Sequence, residues 1–146
     1  MAVGSTINLF LPAIAQGLFR NPISGQIAGF LIITLPVNLY FILFESSTWQ
    51  ATWGKRRLGL RVTRKDGTRL TLLRASSRTL LKFIPWELAH TCIWQISFAK
   101  EAEKPIFTMG FVLVWILVGA NIVSLWTSPT HQTLYDRIAG AYVVKG

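Results

Sequence analysis

Four stretches of the chain are apolar over lengths that matter to a lipid bilayer. A hydrocarbon core about 30 Å thick is crossed by roughly 20 helical residues at 1.5 Å each. Residues 107–126 (FTMGFVLVWILVGANIVSLW) carry no charge. Residues 26–44 (QIAGFLIITLPVNLYFILF) are nearly as apolar, with Pro36 expected as a kink of the kind membrane helices tolerate. Residues 80–98 (LLKFIPWELAHTCIWQISF) are long enough but hold Lys82, Glu87 and His90. Residues 5–19 (STINLFLPAIAQGLF) are shorter and broken by Pro12, and read as a short span or an interfacial helix.

Between the second and third blocks the period changes. Leu58, Leu60 and Val62 alternate with Gly59, Arg61 and Thr63. Beyond Arg64-Lys65-Asp66-Gly67, Leu70 and Leu72 alternate with Arg69 and Thr71. Two alternating runs joined around Asp-Gly predict a β-hairpin with one apolar and one cationic face. Arg74, Arg78 and Lys82 then recur every four residues, along one side of an amphipathic helix leading into the third block. The expected architecture is an all-α integral membrane protein, a single domain over residues 1–146. It is a bundle of about four transmembrane helices with a cytoplasmic β-hairpin between spans two and three. Residues 53–79 hold the hairpin and the amphipathic helix.

Composition supports a membrane setting. Of 146 residues 51% are hydrophobic and 14% charged, against about 25% charged in soluble domains; the mean hydropathy is +0.44. Fifteen Lys and Arg against six Asp and Glu give a net charge of +9. In a polar chain that excess would suggest nucleic acid. Here ten of the fifteen bases lie between Lys55 and Lys82, with Asp66 the only acid among them, so no nucleic-acid partner is expected. The bias of Lys and Arg to cytoplasmic loops puts this segment inside the cell. The link 99–105 then lies outside and the tail, with Arg137 and Lys145, inside. Both termini are expected to be cytoplasmic in a multi-pass arrangement. Ala13-Ile14-Ala15 looks like a signal-peptide cleavage site, but no Lys or Arg precedes Arg20, so retention of this segment is expected. Trp49, Trp53, Trp86, Trp126, Tyr40 and Tyr135 fall near block ends, as an aromatic belt does.

Each base close to anionic lipid contributes about 1 kcal/mol of attraction. Lys55, Arg56, Arg57, Arg61, Arg74 and Arg78 are therefore expected to contact anionic membrane lipid; a sharper reading makes the same surface a binding site for an acidic ligand or partner. In the third block Glu87 and His90 stand three apart and share a helix face, which Thr91 and Gln95 extend. A charge at membrane depth costs roughly 2.5–3.5 kcal/mol even on insertion scales, and so must face the bundle or water. Glu87 and His90 are candidates for a proton relay or cation site. The alternative is packing, with Glu87 paired to an arginine such as Arg78 or Arg137. For Asp136-Arg137 the simpler expectation is an ion pair that locks the tail to the basic hairpin.

Other chemistry finds little footing. One Glu-x-x-His copy falls short of a di-iron bundle, which needs two copies and two further Glu. Cys92 is the single cysteine and His90 and His131 the only histidines, so no metal is expected. Gly54-Lys55-Arg56 lacks the spacing of a phosphate-binding loop. No cofactor and no enzymatic activity are expected.

Residues 52–62 (TWGKRRLGLRV) resemble the T-x-G-K-R-x-L-G-L-x-V element of the RDD family of membrane proteins. Lys65-Asp66-Gly67, Arg74-Ala75 and Arg78 fall where that family has its hairpin and Arg-rich helix. Residues 132–140 (QTLYDRIAG), followed by Val143-Val144, are similar to its closing element. Gly54, Lys55, Arg56, Gly59, Gln132, Asp136 and Arg137 are the motif residues carried over. The family is named for one Arg and two Asp, with the Arg and one Asp in the first helix. The first block here has neither, and Asn8 and Gln16 are its strongly polar side chains. This marks a branch divergent or truncated at that helix, and those two named positions have no counterpart here. The resemblance implies a bacterial inner-membrane protein of a few helices, often proposed to take part in transport. The expected function is thus an ion or small-solute transport protein, or a component of one. Four short helices hardly enclose a pathway, so a homo-oligomer or another membrane subunit is expected as partner. The alternative is a non-transporting accessory protein whose basic hairpin binds anionic lipid or a partner protein.

Overall fold

Pro36 has no N–H to offer the Ile32 carbonyl, and the first long helix widens by one turn just before it. The computed structural model describes Gly17 and residues 20–146; the 5–19 block, apart from Gly17, lies outside them. Helix α1 (Pro22–Ser46) is α-helical over Pro22–Gly29, π-helical over Phe30–Thr34, and α-helical again over Leu35–Ser46. In the wide turn the Leu35 N–H reaches back to the Phe30 carbonyl. Asn38 Nδ2 donates to the Thr34 carbonyl at 2.7 Å. At the start of α1, the Asn21 side chain accepts from the Ser24 N–H while the Ser24 hydroxyl accepts from the Asn21 N–H, a reciprocal cap, with Pro22 at the first helical position.

The remaining elements are α2 (Trp53–Arg57), β1 (Leu60–Thr63), α3 (Leu72–Phe98), α4 (Lys104–Thr127), α5 (Leu134–Ala139) and β2 (Tyr142–Lys145). Among the described residues two helices are long and apolar enough to cross a membrane, α1 and α4, with mean hydropathies of 2.2 and 2.3. Helix α3 is the longest at 27 residues. It carries the expected amphipathic lead-in and the third block as one element, running through Pro85 without a break. Helices α1, α4 and α5 all lie against it. Two glycines permit these approaches. A Cβ at Gly25 on α1 would sit 2.7 Å from the Trp94 ring of α3, and one at Gly110 on α4 would collide with Cys92 Sγ.

The expected hairpin is not what β1 forms. The Asp66-Gly67 turn does close, with the Arg64 N–H on the Thr68 carbonyl and Gly67 at φ +77°. The returning arm, however, keeps only a single bridge, Thr63 to Arg69. It stops there because the Thr71 hydroxyl accepts from the Arg74 N–H and caps α3, so that Leu72 is already helical. Strand β1 pairs instead with the far end of the chain, antiparallel to β2, in the register Leu60–Lys145, Arg61–Val144, Val62–Val143 and Thr63–Tyr142. Val62, Leu70, Ala75, Ala139 and Ala141 are buried together beneath this sheet, with Ile42 of α1 against them.

The two pairings are separable by cross-linking in a Cys92→Ser background. Leu60→Cys with Lys145→Cys, directly opposite each other, is expected to form a disulfide on mild oxidation, whereas Leu60→Cys with Leu72→Cys, opposite in a hairpin, is not. Gel mobility before and after reduction reads both.

Candidate functional site

The last turn of α1, the short helix α2, the start of α3 and helix α5 each bring one charged side chain to a common point. Glu45, at the end of the apolar α1, is wholly buried. Its Oε1 accepts from Lys55 Nζ at 2.5 Å and its Oε2 from Arg78 Nη1 at 2.6 Å. Arg78 Nε donates to Asp136 Oδ1, also at 2.6 Å. Arg78 and Asp136 are each 3% exposed, so the guanidinium links two carboxylates away from water. The two acids and two bases sum to zero charge. Burial alone would lower the Arg78 pKa. Glu45 first, and Asp136 with it, more than offset that and hold it above the ordinary arginine value, so the guanidinium stays charged. The Tyr135 ring centroid lies 5.4 Å from Arg78 Cζ.

Asp136 has a second duty. Its Oδ2 accepts from the Thr133 hydroxyl at 2.7 Å, while the Thr133 hydroxyl accepts from the Asp136 N–H, which caps α5. Just upstream Gln132 Nε2 donates to the Ala141 carbonyl at 2.6 Å, and the Ser124 hydroxyl donates to the Gln132 carbonyl, fastening this segment to α4. Helix α5 ends at Gly140, whose φ of +62° suits glycine, and the chain turns there into β2.

The candidates of the third block have other partners. Glu87 Oε1 accepts from the Thr34 hydroxyl of α1 at 2.5 Å, at the end of the π turn. Trp86 Nε1 donates to the same hydroxyl at 3.3 Å. One turn on, Gln26 Nε2 donates to the Thr91 hydroxyl at 2.5 Å. Glu87 and Gln26 both line a cavity of about 230 Å³ with Ile23, Ile27, Phe30 and Leu31. His90 turns elsewhere: its Nδ1 is 3.1 Å from the Trp86 carbonyl, with its ring 4.5 Å from the Trp86 ring. Among the described residues no hydrogen bond joins Glu87 to His90. The arginine expected to pair with Glu87 is absent too. Arg78 lies nine residues back, about 13 Å along the helix axis, and is held by Glu45 and Asp136; Arg137 is exposed beyond α4.

The basic residues divide as well. Arg56 lies over the Trp49 ring at 4.7 Å and Arg57 over Trp53 at 4.4 Å, and Arg61 and Arg74 are exposed. Arg78, expected at the lipid surface, is instead buried in the charge network. Gly54 sits in α2, and Gly59 takes φ +65° between α2 and β1. Asp136 meets Arg78 of α3 rather than a basic hairpin. Glu45 was missed by sequence reasoning because it borders a loop. Its signal was an unaccompanied acid closing a long apolar run, ten residues ahead of Lys55. Thr34 and Gln26 were hidden among apolar neighbours, with Pro36 as the only hint of an irregular turn.

Apolar helices long enough to cross a bilayer, fastened at one end by a buried ionic network and a two-stranded sheet, define a helical membrane protein. The RDD family model matches residues 1–140, and the chain belongs to the RDD family. Comparison with curated proteins gave no match, and comparison with solved structures gave none. The two segments that resemble the family's motifs, 52–62 and 132–140, are linked in space through Lys55, Glu45, Arg78 and Asp136, and the β1–β2 pairing brings Val143-Val144, just beyond the second, against the first.

Removing one member of a buried ionic cluster strands the others without water. Asp136→Ala is expected to destabilise the protein by about 3–5 kcal/mol. Lys55→Met, at the more exposed edge, is expected to cost less. Thermal unfolding of the purified proteins in detergent orders the two.

Proposed function

We propose that the protein is an ion or small-solute transport protein, or a component of one, with Glu87 as the titratable carrier group and His90 beside it on α3. In this reading α3 spans the bilayer with α1, α4 and the 5–19 block, the membrane is the bacterial inner membrane, and both termini are cytoplasmic. The support is the setting of Glu87. A carboxylate in the third block has a hydroxyl for partner rather than a base among the described residues, and it lines an open cavity between α1 and α3. An acid in such a place can take up and release a proton or a cation, because among the described residues no base is paired with it. Four helices leave little room for an enclosed path, so a homo-oligomer or a second subunit completes it.

The alternative is an accessory protein that carries nothing and docks by its basic face on anionic lipid or a partner. What favours it is the stacking of Arg56 and Arg57 on Trp49 and Trp53, both indoles about half exposed or more. Cation and indole together suit the headgroup layer.

Flux into proteoliposomes decides between them. Wild type is expected to dissipate a Na⁺, K⁺ or pH gradient, and Glu87→Gln to lose that flux by at least about tenfold. Its fold is expected to be unchanged, because the glutamine carbonyl still accepts from Thr34. Flux absent from both proteins, or equal in both, overturns the carrier role.

A further inference from the structure

At the end of the bundle that carries the sheet, three cations converge without enough acid to balance them. Arg64 and Lys65 come from the turn after β1, Arg74 from the first turn of α3, and Gly140 and Tyr142 from the closing segment. With Asp66 they line one cavity of about 340 Å³, within the range of small-ligand sites. Three bases against one acid leave an excess of two positive charges.

The acid is largely engaged by its own loop. Asp66 Oδ1 accepts from the Thr68 N–H at 3.0 Å and from the Thr68 hydroxyl at 2.6 Å. Its Oδ2 stands 3.9 Å from Arg64 Nη1, too far for a hydrogen bond. Arg64 Nε is buried and has no hydrogen-bond partner among the described residues. The Arg64 side chain as a whole is 38% exposed, so it stays within reach of a ligand in the cavity. The wall is cut back for close approach as well: a Cβ at Gly140 would lie 2.8 Å from Arg74 Nη1, and φ is +62° there. The glycine lets the guanidinium lie against the backbone at the cavity edge.

We propose that this cavity binds a phosphomonoester dianion, with Arg64 and Arg74 meeting its oxygens and Lys65 supplying further charge. A phosphomonoester carries between −1.5 and −2 at neutral pH, which matches the excess of the site. Guanidinium groups suit it because their planar forks bond two oxygens at once. The ligand would bridge the turn, α3 and the closing segment, of which the ionic network holds only α3. The site is separate from Glu87 and stands whether or not the protein moves a solute.

The test uses the full-length protein in phosphatidylcholine nanodiscs, titrated calorimetrically with glycerol phosphate. A parallel arm measures capture of the detergent-solubilised protein by phosphatidylcholine vesicles with and without phosphatidic acid, whose headgroup is a phosphomonoester. Saturable binding is expected, weakened about tenfold or more by Arg64→Gln and by Lys65→Gln, the loss that one charge-assisted hydrogen bond represents. Arg69→Gln removes the same charge from an exposed position outside the cavity and is expected to leave binding within about twofold, since a lone solvated charge contributes little. Lys65 is exposed, so its variant keeps the test open should Arg64→Gln fail to fold. Binding in both arms identifies a soluble phosphomonoester as a sufficient ligand, and binding of phosphatidic acid alone identifies a lipid headgroup; either supports the site. No saturable binding in either arm, or equal weakening by Arg64→Gln, Lys65→Gln and Arg69→Gln, overturns it in favour of a diffuse cationic surface.

Discussion

Arg78 between two carboxylates is the constraint on which the rest of this structure hangs. A guanidinium taken out of water is tolerated only if its charge and its donors are met, and here Glu45 and Asp136 do both from opposite sides. Each acid lies on a different element, and each element is thereby fixed to the start of α3. Glu45 ties down the end of α1 and, through Lys55, the short helix α2; Asp136 ties down α5 while capping it. Lysine would not replace Arg78 here, because a compact ammonium lacks the planar fork that reaches two carboxylates along separate directions. The sheet beside the network adds apolar burial around Val62 and Leu70, so charge pairing and hydrophobic packing close the same end of the molecule.

The polar groups deeper in the helices follow a different rule. The ionic network is balanced, with every charge matched, and this favours one fixed arrangement. Among the described residues Glu87 has a hydroxyl and the walls of an open cavity for company. The π turn of α1 contributes here, for it displaces the helical register just where Thr34 meets Glu87 and Trp86. A wide turn forced by Pro36 thus serves contact with α3 as well as relief of a missing hydrogen bond.

Elements dictated by local chemistry were legible in the sequence, and elements dictated by distant pairing were not. The apolar runs of α1 and α4, the basic recurrence at the start of α3 and the Asp66-Gly67 turn all follow from neighbours in the chain. The alternation at Leu60 and Val62 correctly marked a strand, but the partner was misassigned. A local hairpin closes a shorter loop, so it is the natural choice when only the sequence is considered. The cap at Thr71 and the four residues of β2 together outweigh it. Likewise the four-residue spacing of Arg74, Arg78 and Lys82 predicted their shared side of α3 but not their separate environments, because burial of Arg78 depends on acids 33 residues before it and 58 after it. Glu87 and His90 were singled out together, yet α1 supplies the Thr34 hydroxyl for one, and the other turns back onto Trp86 of its own helix.

The pairing of β1 with β2 also imposes an order of assembly. Chains are made from the N-terminus, and early segments begin to fold before later ones exist. Glu45, Lys55 and Arg78 are all synthesised while Asp136 and β2 are still to come, so an intermediate with α1 and α3 placed has Glu45 available to Arg78 but lacks the second carboxylate. Strand β1 in that intermediate has one edge unpaired, and its apolar side has yet to receive Ala139 and Ala141. Completion therefore falls to the last dozen or so residues, which add an acid, a helix cap and a strand together. A chain interrupted shortly before them would hold apolar helices α1 and α4 and still present an open strand edge and an unbalanced arginine, the kind of exposed edge that makes a folding intermediate prone to aggregate.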